Sequence, residues 1–455
     1  MEINERMSKR FAWLLGVVVL VSIAVLVACG SNYNRASDGL VLVASQGSGL
    51  IETFGFSLSS GSISEIANPP ETTSTQTCML NGIPSSIVVD PNGAYAYTIV
   101  SANVLCPGSQ TGLAAFRVNS NGTLTASGSL VPFAQENVVV QGAPESVPVV
   151  PYALNMDAAG KFLFVADRAT LDSSGNNVPG AISAFTISNG TVTEVAGSPF
   201  VPPPSTTVQP SLDIVAVAST PTVFPAVGAN GVQNAVCSTP GNKPPTSQYL
   251  YAVDLLGNQV IEFSVDTTSG ALGNPPNATA PLAFFTDQQP AGVAVDPCNR
   301  FVYVTDHLTN KVSAYTMCNG GLTQSPTGCP QVPNGSLVQV SASPFSLAGS
   351  ASGPGPLVVD PFGNYVYVLN TLSGGVSTLK ISPISGALTA NATVVATGAL
   401  PTSLAIRADD NWLFVANYGS APATISQYSI VPATGVLSPL PAIQTDNNPW
   451  GVAVR

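Results

Sequence analysis

His307 is the single histidine of a 455-residue chain, and it follows Asp306 directly. Arg168 follows Asp167 in the same way, and Tyr418 follows Asn417. The residue preceding each belongs to a recurring position, filled along the chain by Ser45, Val100, Asp167, Asp254, Asp306, Asn370 and Asn417. Five of these seven are Asp or Asn, in a chain where charged residues make up only 8%. Such groups can relay protons, orient a water or hold an anion. Asp167, Asp254, Asp306 and Asn417 are also hard oxygen donors that would suit a divalent cation such as calcium, although one donor per repeat spreads them widely. The plainer reading is that Asp and Asn end strands because their side chains bond turn backbone, and that a loop histidine is solvated. No other catalytic pattern is present: there is no Gly-x-Ser-x-Gly elbow, His-Glu-x-x-His helix or Gly-rich phosphate loop.

The elements that must position these residues repeat. Pro290-Ala-Gly-Val-Ala-Val-Asp-Pro-Cys-Asn-Arg-Phe-Val-Tyr-Val-Thr-Asp306 aligns with segments 84–100, 151–167, 354–370 and 401–417. A sixth copy starts at Pro210 and resumes at Tyr249 after a Pro/Gly-rich insertion. Each copy reads as a short apolar strand, a turn such as Asp360-Pro-Phe-Gly363, and a second strand of alternating aromatic and β-branched residues. A third strand follows, as in Lys311-Val-Ser-Ala-Tyr-Thr316, and a fourth opens with Gly and an apolar residue two places on, as in Gly386-Ala-Leu388. Four antiparallel strands repeated around a circle predict a β-propeller. The C-terminal Pro449-Trp-Gly-Val-Ala-Val-Arg455 is a first strand with nothing after it, and Leu40-Val-Leu-Val-Ala-Ser45 is a second strand with nothing before it. Together they complete one blade, so the expectation is an all-β, seven-bladed propeller closed by its two ends.

These repeats resemble the YVTN and lactonase families of seven-bladed propellers, the 6-phosphogluconolactonase-like group, over almost the whole mature chain. Gly292-Val-Ala-Val-Asp-Pro297 followed by Phe301-Val-Tyr-Val-Thr-Asp306 is close to their repeat consensus. The resemblance implies a lactone hydrolase in which His307 is general base toward a water, Asp306 or Asp254 orients it, and Arg168 holds an anionic substrate. Asp167, Asn370, Asn417 and Tyr418 would complete the binding rim. The chain supplies few arginines for a phosphorylated sugar, which weakens that particular substrate. The resemblance calls for no organic cofactor; a channel metal, as in gluconolactonase propellers of a different family, is the variant in which Asp167, Asp254, Asp306 and Asn417 are ligands.

The N-terminus reads as an address. Lys9 and Arg10 precede an uncharged apolar run from Phe11 to Ala28, and Leu26-Val-Ala-Cys29 resembles the bacterial lipobox. The expected organisation is a signal peptide over 1–28, a lipidated Cys29 with a short tether over 29–37, and the propeller over 38–455. Glu2 and Glu5 are unusual before an apolar run, which leaves Met7 as an alternative start. An uncleaved anchor helix is the competing reading; both place the propeller outside the cytoplasm, attached to a membrane. Gly30, rather than Asp, after the Cys points to an outer membrane where the cell has one.

Six further cysteines in an oxidising compartment suggest disulfides. Sorted by the end of the propeller on which each falls, they pair as Cys78–Cys106, Cys237–Cys298 and Cys318–Cys329, with exchange among the last four as the alternative. Thirteen basic against 24 acidic residues, a net charge of −11, argue against nucleic acid. Insertions near 129–150, 218–247 and 324–352 offer loop-rich rims. The leading expectation is therefore a cell-envelope lipoprotein whose propeller binds a protein or glycan; an exported lactonase acting at the channel mouth is the rival.

Overall fold

The structure, a computed structural model, describes residues 38–66, 82–103, 108–140, 143–202, 212–222, 247–276, 278, 280–318, 329 and 334–455. Among these, seven antiparallel sheets of four or five strands are accompanied by two small hairpins. Blade one joins Asp38–Ser45, Leu50–Ser57 and Ile63–Glu65 to the C-terminal strand Pro449–Val454. Blades two to seven begin with inner strands Ile83–Val89, Val150–Met156, Ile214–Ser219, Pro290–Val295, Pro354–Val359 and Pro401–Ile406. Each inner strand touches those of the blades before and after it, and the C-terminal strand touches that of blade two, so the ring closes. Val41 pairs with Val454 and Ser45 with Pro449, completing blade one from both ends of the chain. The seven-bladed expectation is borne out. The segments 1–28 and 29–37 lie outside the described residues.

The second strands are buried on both faces because each blade is sandwiched between two others. Phe301–Asp306 is buried throughout. Phe301 and Tyr303 pack against Val366 and Val368 of blade six, whereas Val302 and Val304 pack against Tyr251 and Val253 of blade four. Odd and even residues of one strand thus serve two different interfaces, which is why the repeat is apolar without polar alternation. Among the described residues the core divides into seven such clusters, one per interface.

The recurring Gly before the fourth strand has a clear cause. Tyr303 of blade five donates its hydroxyl to the Gly386 carbonyl of blade six at 3.1 Å, and Tyr367 donates to Gly435 of blade seven at 3.3 Å. Gly386 has φ +73°, and a Cβ there would sit 2.5 Å from the Phe301 ring. Only glycine permits both. The Asp of the first turn is equally structural: Asp360 Oδ1 accepts from the amides of Asn364 and Tyr365 at 2.6 and 3.0 Å. Asp90 and Asp157 hold their turns in the same way.

Two details differ from the sequence expectation. The inner strand of blade four begins at Ile214, which pairs with Asp254, four residues after the aligned Pro210; Pro210 itself lies outside the described residues. The 129–150 insertion carries strand Val131–Pro132, which joins blade two, and a hairpin of Gln135–Val140 with Ala143–Pro148. Cys318 and Cys329 are bonded as expected. Cys298 is also disulfide-bonded; Cys78, Cys106 and Cys237 lie outside the described residues.

Candidate functional site

The recurring position forms a ring at one end of the blades, where each residue pairs with the start of its own inner strand: Asp306 with Pro290, Asn370 with Pro354, Asn417 with Pro401 and Asp167 with Pro151. Directly afterwards a bulge lets the inner strand turn toward the channel mouth. Ser45, Val100, Asp167, Asp254, Asp306, Asn370 and Asn417 are all fully buried. Their side chains face strand neighbours.

Four of them share a partner type. Ser183 donates to Asp167 Oδ2 at 2.7 Å and Ser313 to Asp306 Oδ2 at 2.8 Å. Asn370 Nδ2 donates to Ser377 Oγ at 2.9 Å and Asn417 Nδ2 to Ser426 Oγ at 3.0 Å. Each serine is the third residue of its third strand, opposite Val165, Val304, Val368 or Val415, which places it two residues back from the ring position. The Val/Ile-Ser step that repeats in the third strands was the signal for this pairing. Ser45 reverses the polarity, donating to Glu52 Oε2 at 2.6 Å.

Asp254 is satisfied differently. It accepts from the amides of Asp213 and Leu256 at 2.9 and 3.2 Å and from Gln259 Nε2 at 2.9 Å. Asp213, which sequence reasoning missed, also holds Arg168: Nε and a terminal nitrogen of the guanidinium donate to its two carboxylate oxygens at 3.0 and 2.5 Å. This bidentate bond raises the Arg168 pKa further. Arg168 also lies over the Tyr152 ring at 5.2 Å. Arg168 and Asp254 are thus brought together through Asp213, across the boundary of blades three and four.

His307 and Asp306 occupy blade five. His307 is half-buried, and its Nδ1 lies 3.1 Å from the Pro354 carbonyl of blade six. Burial, with the nearby charge of Asp287 adding to it, pushes the Asp306 carboxyl up to about 7 against the bond from Ser313. Asp306 Oδ1 has no hydrogen-bond partner. Burial likewise lifts Asp167 well above the usual carboxylate range and Glu136 to about 7. Tyr418 packs edge-on against Trp450, with ring centroids 5.4 Å apart. No hydrogen bond or ion pair among the described side chains joins the His307 pair to the Arg168–Asp213–Asp254 group.

Asp167, Asp254, Asp306 and Asn417 stand in four blades, each with its own partner. Among the described residues no three His, Cys, Asp or Glu side chains converge to hold a metal ion.

Solved structures of the same architecture are numerous. A periplasmic gluconolactonase from Pseudomonas aeruginosa is 18% identical, with a TM-score of 0.61 over 92% of this chain and 99% of its own. A candidate 6-phosphogluconolactonase from Bacteroides fragilis is 18% identical, with a TM-score of 0.59 over 92% of this chain and 98% of its own. At that identity the likeness is one of fold. No curated protein matches the sequence. Residues 337–450, from the last strands of blade five through blade seven, match the family model of the lactonase, 7-bladed beta-propeller, and the chain has the seven-bladed architecture which that model describes.

Proposed function

We propose that the chain is a lipid-anchored cell-envelope protein whose propeller binds a protein or glycan partner. The observation that supports binding over hydrolysis is the engagement of the would-be catalytic groups. Arg168 is held bidentately by Asp213, Asp254 by Gln259 and two amides, and Asp306 by Ser313 in a fully buried position. A group that must grip an incoming substrate gains little when an internal partner already neutralises it.

The second reading, an exported lactonase, is favoured by the match of residues 337–450. It also draws on the Asp306 carboxyl poised near 7 beside His307. There His307 would take a proton from a water attacking the lactone carbonyl, and the departing ring oxygen would receive a proton to give a hydroxy acid. Turnover on lactones decides between the two.

The anchor is tested by metabolic labelling with a radioactive fatty acid. The wild-type chain is expected to carry label and sediment with membranes, and Cys29→Ser to lose both; label retained in the variant would contradict lipidation at Cys29.

A further inference from the structure

In blades five to seven the loops between first and second strands touch one another. In blade five, Asp296 takes Arg300 in a bidentate pair, with Nη2 2.6 Å from Oδ1 and Nε 2.9 Å from Oδ2. Both are buried. The guanidinium also donates to the Gly363 carbonyl, in the loop of blade six, at 2.9 Å. Gly363 has φ +69°, and a Cβ there would lie 2.4 Å from Asp296 Oδ1 and 2.6 Å from Arg300 Nη2. The next loop repeats the backbone and changes the chemistry. Asp410 of blade seven stands where blade six has Gly363: its φ is +57°, and its amide donates to the Arg407 carbonyl at 2.9 Å, as that of Gly363 does to Asp360 at 3.0 Å. Asp360 takes the place of Asp296, and Asn364 that of Arg300. Where blades five and six join an acid to a base, blades six and seven therefore set two acids face to face.

Asp360 and Asp410 are fully buried, and their carboxyls lie within hydrogen-bonding reach of each other. Asp360 Oδ1 accepts from two amides of its own loop, whereas Asp360 Oδ2 and both oxygens of Asp410 have no donor. The cations of these loops are committed elsewhere: Arg300 to Asp296, and Arg407 to Asp409 and to the Arg455 carbonyl, 3.1 Å from its Nε. Two carboxylates in contact, buried and without a counter-charge, repel each other strongly. One proton between them turns the repulsion into a charge-assisted hydrogen bond. Burial raises both carboxyls, and repulsion from Asp360 and Asp409 lifts Asp410 further, to about 8. Asp410, which accepts no other bond, is the member that keeps the proton.

We infer that Asp410 carries that proton and donates it to Asp360 Oδ2, forming a latch between blades six and seven that opens when solvent base removes the proton. The stabilisation it gives is complete in acid, shrinks as pH rises, and is gone above about 8. The bond is then replaced by repulsion, and the loop carrying Asp410 parts from that of blade six. The same loop serves ring closure, because Arg407 at its start holds the carbonyl of Arg455, the residue after the closing strand. The other charged or titratable groups around the pair are Asp296, ion-paired with Arg300, and Asp409, ion-paired with Arg407. Tyr365 and Tyr367 complete the set. Burial raises their hydroxyls above the ordinary value, and they donate to the Ala433 and Gly435 carbonyls at 2.9 and 3.3 Å.

Trp412, two residues beyond Asp410, is 8% exposed and packs edge-on against Phe56 of blade one at 5.7 Å, so it reports on the loop. In the full chain carrying Trp13→Phe and Trp450→Phe it is the sole tryptophan. Acrylamide quenching of its fluorescence is expected to stay low from pH 5 to 7 and to rise roughly threefold between pH 7 and 9, with far-UV circular dichroism unchanged. Asp410→Asn in that chain keeps a neutral donor and should hold quenching low throughout. Asn364→Arg, which supplies the guanidinium of blade five, should do the same. If either variant fails to fold, Asp410→Gly, the residue that blade six uses, removes the second carboxyl and carries the same expectation. Quenching that stays flat without these substitutions, a rise that survives them, or a rise accompanied by loss of circular dichroism overturns the inference. Suppression of the rise by calcium, with sodium at equal ionic strength inert, would assign the pair to a metal ion and overturn it as well.

Discussion

Ser313 donates its hydroxyl to Asp306 at 2.8 Å, tying the end of a second strand to the neighbouring third strand inside a region with no solvent contact. The same tie recurs with Ser183 and Asp167, and with Asn370 and Asn417 in place of Asp. Blades six and seven thus show that a neutral amide serves at this position as well as a carboxyl. Asp306→Asn is therefore expected to fold normally and to be more stable than wild type at pH 8, where the Asp306 carboxyl, at about 7, bears a buried charge. Ser313→Ala, which strips that carboxyl of its donor, should cost about 1–3 kcal/mol. Urea unfolding of both variants at pH 8 checks this; destabilisation by Asp306→Asn beyond that of Ser313→Ala would contradict it.

Stability should decline as pH rises from 5 to 9. Burial pushes Glu262, whose oxygens lack hydrogen-bond partners, up to about 9. Asp410 is raised to about 8 by burial and by Asp360 beside it, and Glu52 to about 7 by burial. In the unfolded chain these groups lose their protons near the ordinary carboxylate values. Above those values the folded state binds more protons than the unfolded state, so stability falls as pH rises, by up to about 1.4 kcal/mol per pH unit for each group until its folded pKa is reached. Melting temperatures between pH 5 and 9 should fall, and Glu262→Gln should flatten the upper part of the profile. A wild-type curve that rises toward pH 9 would be incompatible with neutral buried carboxyls.

The Arg168–Asp213 pair bridges blades three and four, with Arg168 about one-third exposed and Asp213 nearly buried. Solvent screening limits its worth, and about 1 kcal/mol of coupling is expected from a double-mutant cycle on Arg168→Ala and Asp213→Ala. Lys at 168 should restore only part of it, because it cannot reproduce the two parallel bonds. Zero coupling would indicate an idle pair, and Arg168 would then be free to serve a ligand.

The Cys318–Cys329 bridge joins cysteines eleven positions apart at the blade-five edge. Replacing both cysteines with serine should lower stability by about 2–4 kcal/mol. Calorimetry of the oxidised wild type against the variant measures this, and equal melting temperatures would refute it.

Architecture was legible in the sequence to an unusual degree because a propeller writes itself repeatedly. The sixteen-residue interval from Pro290 to Asp306 recurs, and the incomplete repeats at Leu40 and Pro449 announce the closing blade. Ile214 was missed as a strand start because it breaks the Pro rule. The site was far less legible. The ring of Asp and Asn was visible, but its burial depends on packing between blades, which no single repeat displays. Asp213 and the third-strand serines lie 7 to 45 positions from their partners, and only the pairing of strands makes them neighbours.

Lactone hydrolysis tests the central claim most directly. The purified, oxidised chain is assayed against a panel of sugar and acyl lactones, alongside His307→Ala and with a chelator added. The account predicts no turnover above buffer on any substrate, because the groups a lactonase would use are engaged within the blades. Turnover abolished by His307→Ala would contradict it and establish the enzyme, and turnover lost only with chelator would contradict it in favour of a metal-dependent site.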